Sequence, residues 1–172
     1  MKKTTVETLA RENAFELIGK EWMLIAAGTP EKCNMMTASW GGIGWLWNKP
    51  VAFIFVRPER YTYPLIEENE HVTLSFLGHD KPMCDIYNFC GSKSGRDFDK
   101  LKETGLVPFA TEHGSVGFEQ ARLVIEGRKL FRSEFKPEEF LDHSVLERWY
   151  NDQPGGSLHT VYVLEIENVY ES

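Results

Sequence analysis

The sequence predicts a mainly β protein, an antiparallel barrel with helical insertions. Two observations carry that reading. Six or seven strand-sized stretches rich in β-branched and aromatic residues recur along the chain. Helical stretches fall between some of them but do not alternate regularly, which disfavours a doubly wound parallel sheet. No linker, repeat or low-complexity block divides the 172 residues, so a single domain over 1–172 is expected. A chain of that length buries roughly 70% of the surface its unfolded form exposes.

The elements follow in order. Leu9, Ala10, Ala14, Leu17 and Ile18 fall on one face of a short helix over 7–21, which Gly19 can end. Trp22–Ala27 reads as a buried strand stopped by Gly28-Thr-Pro30, and Asn34–Trp40 as a second that runs into a Gly41-Gly42 turn. Val51–Val56 is a third strand, closed by Pro58; Tyr61–Glu70 is a short helix with Pro64 in its first turn. His71–Leu77 alternates as a strand. Pro82–Phe89 and Asp97–Thr104 read as helices ended by Gly91 and Gly105. Strand character returns over Phe118–Phe135, with Gly127 as a turn or bulge. A helix over Pro137–Tyr150 and a last strand over Thr160–Val169 complete the chain.

Composition narrows the function classes. Nineteen Lys and Arg against 26 Asp and Glu give a net charge of -7, a poor footprint for nucleic acid. The longest apolar runs, such as Val51–Val56, fall far short of the ~20 residues a spanning helix needs. At the N-terminus, Glu7, Arg11 and Glu12 stand where a secretory leader would be apolar. Cys33, Cys84 and Cys90 form no Cys-x-x-Cys pair, so inert thiols and a reducing cytoplasm are expected. There is no dinucleotide fingerprint, Walker loop or nucleophile elbow. The five histidines show no metal-ligand spacing, so no metal site is expected. With no self-sufficient catalytic side chain in view, weight shifts to a borrowed cofactor. The 13% aromatic share suits a planar ligand as well as a core.

Three segments fit that possibility. In Asn34–Gly44, Thr37 and Ser39 crowd the end of a strand, Trp40 can border a planar ring, and the glycines admit a close backbone. The alternative is an ordinary strand ending in a Gly-rich turn. In Val56–Thr62, Arg57 and Arg60 bracket a strand-to-helix corner beside the hydroxyls of Tyr61 and Thr62. Arginine's planar fork and a helix N-terminus suit phosphate, although these arginines can equally pair with Glu59, Glu67 or Glu68. In Gly91–Lys100, Ser94, Gly95 and Arg96 form a loop, Asp97 can cap the next helix, and Lys100 follows one turn in. The alternative is a solvated loop with a helix cap.

Together and in order, Met36-Thr-Ala-Ser-Trp-Gly-Gly42, Val56-Arg-Pro-x-Arg-Tyr-Thr62, Thr73-Leu-Ser-Phe76 and Ser94-Gly-Arg-Asp-x-Asp-Lys100 resemble the flavin reductase-like family with the FMN-binding split barrel. The likeness runs from about Leu17 to the final strand and is greatest to the flavoredoxin-type branch. Flavin reductases of two-component monooxygenases carry Thr-Ala-Ser-Ser at the first motif. Here Trp40 replaces the last serine.

The resemblance implies an antiparallel split barrel, a homodimer, and one FMN per subunit near the dimer interface. It places Asn34, Thr37, Ala38, Ser39 and Trp40 along the isoalloxazine and ribityl chain, and Arg57, Arg60, Tyr61 and Thr62 around the ribityl-phosphate. Ser75 and Phe76 would form the neighbouring strand. Ser94, Gly95, Arg96, Asp97 and Lys100 would complete the polar side. His159 reads as a capping or core histidine, with an approach to the flavin as the alternative. No catalytic proton-transfer residue is expected. The implied activity passes electrons from NADH or NADPH through FMN to a second acceptor; the alternative is a carrier fed by a protein electron donor.

Overall fold

A computed structural model describes residues 1–150 and 157–172. Its centre is one large antiparallel sheet in the order β3-β2-β6-β9-β10-β5-β4. These strands are β2 (Met23–Thr29), β3 (Lys32–Ala38), β4 (Gly41–Leu46), β5 (Lys49–Val56), β6 (His71–Phe76), β9 (Leu123–Glu134) and β10 (Thr160–Glu171). A short β1 (Lys2–Thr4) adds to the far end of β10, and a separate hairpin joins β7 (Pro108–Ala110) to β8 (Val116–Phe118). Helices α1 (Ala14–Glu16), α2 (Thr62–Glu68), α3 (Lys81–Ser92), α4 (Lys100–Thr104) and α5 (His143–Tyr150) lie in the connections. No described helix is long and apolar enough to cross a membrane.

In place of the expected barrel the structure shows a large open antiparallel sheet, with no ladder joining its edge strands β3 and β4 among the described residues. Those edges are nonetheless consecutive in sequence, linked only by Ser39 and Trp40. Three Cα steps span at most about 11 Å, so the sheet must curl until the ends of β3 and β4 nearly meet. Bulges on the β9–β10 pair, where Leu130 and Glu167 are skipped in the register, supply part of the bend.

Burial explains the strand patterns. β2 is covered on both faces, which is why it reads as an unbroken apolar run. Met23, Ile25 and Ala27 face the inner core with Ile54, Phe76 and Tyr162; Leu24 and Ala26 face a second core with Tyr87, Cys90 and Phe118. Each fully buried Leu, Ile, Met or Phe among them contributes roughly 1.5–3 kcal/mol. This second core holds α3 and the β7–β8 hairpin against the sheet and thereby fixes the loop after α3.

Several elements differ from the sequence reading. The single helix over 7–21 is a 3₁₀ turn (Val6–Arg11), then α1, then a wider turn over Leu17–Glu21. Asn13 accepts from the N–H groups of Phe15 and Glu16 and so starts a new helix inside the periodic pattern. The Gly41-Gly42 turn is instead the start of β4, where a Cβ on Gly41 would lie 2.8 Å from the Phe53 carbonyl oxygen. Gly91 does not stop α3 but lies inside it, close enough to Thr37 that a Cβ there would sit 3.3 Å from the Thr37 Cβ. Asp99, not Asp97, caps α4 by accepting from the Lys102 N–H at 3.2 Å. The helix expected over 137–150 is a 3₁₀ turn at Pro137–Glu139 followed by α5.

Candidate functional site

A cleft of about 590 Å³ opens where the two sheet edges approach each other, a size typical of small-molecule sites. Its walls are the end of β3, the Ser39–Trp40 link, the β5–α2 corner and the loop between α3 and α4. Thirteen of the sixteen predicted residues line it: Asn34, Thr37, Ala38, Ser39 and Trp40; Arg57, Arg60, Tyr61 and Thr62; Ser94, Gly95, Arg96 and Lys100. Three of the four motifs, spread over some 65 positions, thus converge through the curl of the sheet.

Ser75, Phe76 and Asp97 do not line the cleft. Phe76 is wholly buried in the inner core, and Ser75 points to the other face of β6, where its hydroxyl has no partner among the described residues. Both sit on an interior strand of the sheet, two strands away from the edge that forms the cleft wall. Asp97 is exposed in the loop, its N–H bonded to the Ser94 carbonyl at 3.1 Å. Met36, Phe55, Glu59, Ser92, Lys93 and His159 line the cleft but were not in the predicted set. Lys93 was legible in principle, as a cation in the same loop as Arg96.

The cleft is cationic in an acidic protein. Arg57, Arg60, Lys93, Arg96 and Lys100 face a single carboxylate, Glu59, a surplus of four positive charges in a chain of net charge -7. Lys100 is the most telling. Its residue is 5% exposed, and its ammonium donates to the carbonyl oxygens of Met35 and Cys90, both at 2.8 Å. No carboxylate pairs with it among the described residues, and burial pulls its pKa below the usual lysine range. A buried ammonium held only by carbonyls is costly alone, and an anion in the cleft would stabilise it.

The three arginines are held in place by backbone carbonyls. Arg60 Nη1 donates to the Gly91 carbonyl at 2.8 Å, which ties the β5–α2 corner to α3. Arg96 Nη1 donates to the Glu59 carbonyl at 3.2 Å, with its guanidinium over the Tyr61 ring at 5.1 Å. Arg57 is committed elsewhere: Nη2 donates to the Trp149 carbonyl at 2.8 Å, and the guanidinium lies 5.0 Å over the Tyr150 ring. Arg57 therefore anchors α5 at the cleft edge, and the phosphate-type donors are better sought in Arg60, Arg96 and Lys100.

The floor is tightly fitted. Asn34 Nδ2 donates to Thr62 Oγ1 at 2.8 Å, and both residues are buried. Thr37 Oγ1 donates to the Tyr87 carbonyl at 2.6 Å, leaving its lone pairs to accept. Gly95 packs against Asn34 and Tyr61 so closely that a Cβ would sit 2.7 Å from Tyr61 Cδ1. Only glycine allows the loop to close down here. At the rim, Trp40 is 40% exposed and packs edge-on against Trp149 at 5.2 Å and beside His159 at 5.4 Å. His159 is largely buried, as a core histidine would be: its Nδ1 pairs with the Tyr150 hydroxyl at 2.7 Å, and the residue also lines the cleft. Burial, with Arg57 nearby, pushes its pKa down to about 4, so it is neutral at pH 7.

The arrangement suits a ligand that joins a planar aromatic body to an anionic tail. Cys33 and Cys90, which do not line the cleft, are free thiols, and burial pushes both up to about 11. Away from the cleft, His71, His113 and Glu167 meet in a cluster invisible to sequence spacing, because three distant elements contribute to it.

No curated protein matches the chain. Among solved structures, the flavoredoxin of Methanosarcina acetivorans is similar with a TM-score of 0.68 at 22% identity, over 88% of this chain and 68% of that one. The flavoredoxin of Desulfovibrio vulgaris (Miyazaki F) gives 0.65 at 22% identity, over 88% and 69%. The NADH:FAD oxidoreductase of Streptomyces globisporus, solved with NAD and FAD fragments, gives 0.62 at 14% identity, over 88% and 74%. At these identities the likeness establishes the split-barrel type of fold. The flavin reductase like domain matches residues 16–172, nearly the whole chain, and the protein therefore belongs to the flavin reductase-like family.

Proposed function

We propose that the cleft holds FMN and that the protein is a flavoredoxin-like electron-transfer flavoprotein, fed by a protein electron donor. The observation that carries the cofactor assignment is the cationic surplus of the cleft, with the unpaired ammonium of Lys100 at its base. Lys100, Arg60 and Arg96 would hold the phosphate; Asn34, Thr37, Ser39 and Thr62 offer polar atoms for the ribityl chain and ring edge; Trp40 borders the ring. When bound, FMN supplies the redox chemistry, accepting and releasing electrons.

The chain's own contribution is binding, orientation and electrostatics. Its cations also favour the anionic form of a ligand that gains electrons in the cleft. Trp40, standing where the diffusible-flavin reductases have serine, adds an aromatic wall with Trp149. That wall favours a retained cofactor over an exchanging one, and the likeness to two flavoredoxins points the same way. A homodimer and a cytoplasmic location complete the proposal. Trp45, Trp47 and Phe131 are exposed together on the β4–β5–β9 side, an apolar patch suited to a second copy. Trp47 also holds a left-handed φ of 52° in the two-residue hairpin turn, a conformation costly for a bulky residue.

Anaerobic reduction tests the assignment. The FMN-loaded protein should stay oxidised with NADH or NADPH and bleach with a reduced electron-carrier protein. Rapid bleaching by either nicotinamide alone would replace the carrier reading with a reductase.

A further inference from the structure

We propose that His71, His113 and Glu167 form a binding site for a divalent first-row transition ion of the zinc class. The site is separate from the cleft. Glu167 lies eight residues along β10 from His159, roughly 25 Å at strand rise.

The geometry is that of a ligand set. Nε2 of His71 and Nε2 of His113 lie 2.9 and 3.3 Å from the same atom, Glu167 Oε2. All three ligating atoms fall within 4.8 Å of one another. In a tetrahedral zinc centre with bonds of about 2.0–2.1 Å, neighbouring ligand atoms are about 3.3 Å apart. Two of the three separations, those from Glu167 to each histidine, are therefore already near the edge length of such a centre. Two imidazoles and one carboxylate are a common nitrogen and oxygen set for zinc, with a fourth position for water.

The site is also built rather than incidental. Its ligands come from the start of β6, the turn between β7 and β8, and the bulge on β10. Glu167 is the residue skipped between Ile166 and Asn168, so it does not follow the normal alternation of the strand. Arg128 Nε donates to Glu167 Oε1 at 2.7 Å, which orients the carboxylate and leaves Oε2 to the histidines. Arg128 itself is braced by Glu165. The turn carrying His113 is fastened from below by the buried carboxylate of Glu126. It accepts from the His113 N–H at 3.2 Å, from the Thr111 hydroxyl, and from Asn168 Nδ2 at 2.8 Å. Tyr170 accepts from the Glu112 N–H at 2.8 Å on the same turn. Outer contacts of this kind orient metal ligands and tune their affinity. The two imidazoles stack at 4.3 Å with their planes 14° apart, so one ring must turn on its side-chain torsions before both Nε2 lone pairs meet at one ion. A bound ion would clamp the β7–β8 hairpin to the main sheet.

The test is a Zn²⁺ titration of chelator-treated protein by calorimetry, with thermal unfolding and Co²⁺ absorption alongside. Cys84 Sγ lies 3.8 Å from His79 Nδ1, a competing zinc ligand pair, so Cys84→Ser serves as the control background. One ion per chain should bind in both wild type and Cys84→Ser. His113→Ala, on a half-exposed turn, and Glu167→Gln should each weaken binding by more than about 100-fold, beyond what loss of an outer contact costs. Zinc should raise the unfolding midpoint of the wild type and leave both variants unchanged. Co²⁺ should show ligand-field bands without thiolate charge transfer. No binding by wild type, or binding kept in His113→Ala and lost in Cys84→Ser, would overturn the site.

Discussion

Replacing Lys100 with Met tests the phosphate seat with a magnitude that follows from its surroundings. The substitution keeps the buried stem and removes the ammonium, which here has two carbonyl partners at 2.8 Å and no carboxylate. A charge-assisted hydrogen bond contributes roughly 1.5–3 kcal/mol, so losing one to a phosphate weakens binding by roughly 10–150-fold. Against this, the Met35 and Cys90 carbonyls lose a donor, while the desolvation cost of the ammonium disappears. The fold should survive with a modest change in stability. Fluorescence titration of flavin-free protein with FMN and with riboflavin separates the effects. Wild type should prefer FMN; Lys100→Met should bind riboflavin as wild type does and lose most of the preference. Because burial holds the Lys100 pKa below its ordinary 10.5, wild-type FMN affinity should also begin to fall at a pH where an ordinary lysine is still charged. Lys102→Met, at an exposed position two residues on, is the control. FMN affinity within two-fold of wild type, or equal losses for FMN and riboflavin, would refute the reasoning.

Other outcomes follow from the same geometry. Trp40→Ser removes an aromatic contact worth roughly 0.5–1.5 kcal/mol and should weaken FMN and riboflavin alike, by about 2–12-fold in the same titration. Gly95→Ala places a Cβ 2.7 Å from Tyr61 Cδ1 and should displace the loop, weakening FMN while the midpoint of thermal unfolding stays near wild type. His159 has a folded pKa of about 4 against 6.5 unfolded, so the unfolded chain binds more protons between those values. Its contribution is complete above pH 6.5 and declines as pH falls toward 4; His159→Gln should flatten that part of the profile in denaturant titrations. Trp45→Asp should convert a dimeric protein to single chains in sedimentation experiments, and a monomeric wild type would remove the dimer proposal.

Much of the sheet was legible because burial writes itself into strands. β2, β5, β6 and β9 carry apolar runs or alternations that only a doubly or singly covered strand needs. β4 was not legible: its glycines mimic a turn, although their role is to let the strand lie close over Phe53. β1, β7 and β8 are three residues each, too short for any period to show. Gly91 misled for the same reason as Gly41, since a glycine chosen for close packing on Thr37 looks like a helix stop.

The cleft was legible as motifs because its residues sit in short local clusters at strand ends and corners. Thirteen of them meet only through the curl that brings β3 and β4 together. Ser75 and Phe76 failed because a motif marks adjacency along the chain, and β6 is an interior strand. The His71–His113–Glu167 cluster had no local signal at all; three elements and a bulge create it.

The central claim is that this cleft retains FMN, and the flavin content of the purified protein tests it most directly. The purified protein should be yellow, yield one FMN per chain on denaturation and rebind FMN in preference to riboflavin. A colourless protein with no measurable FMN affinity would contradict it.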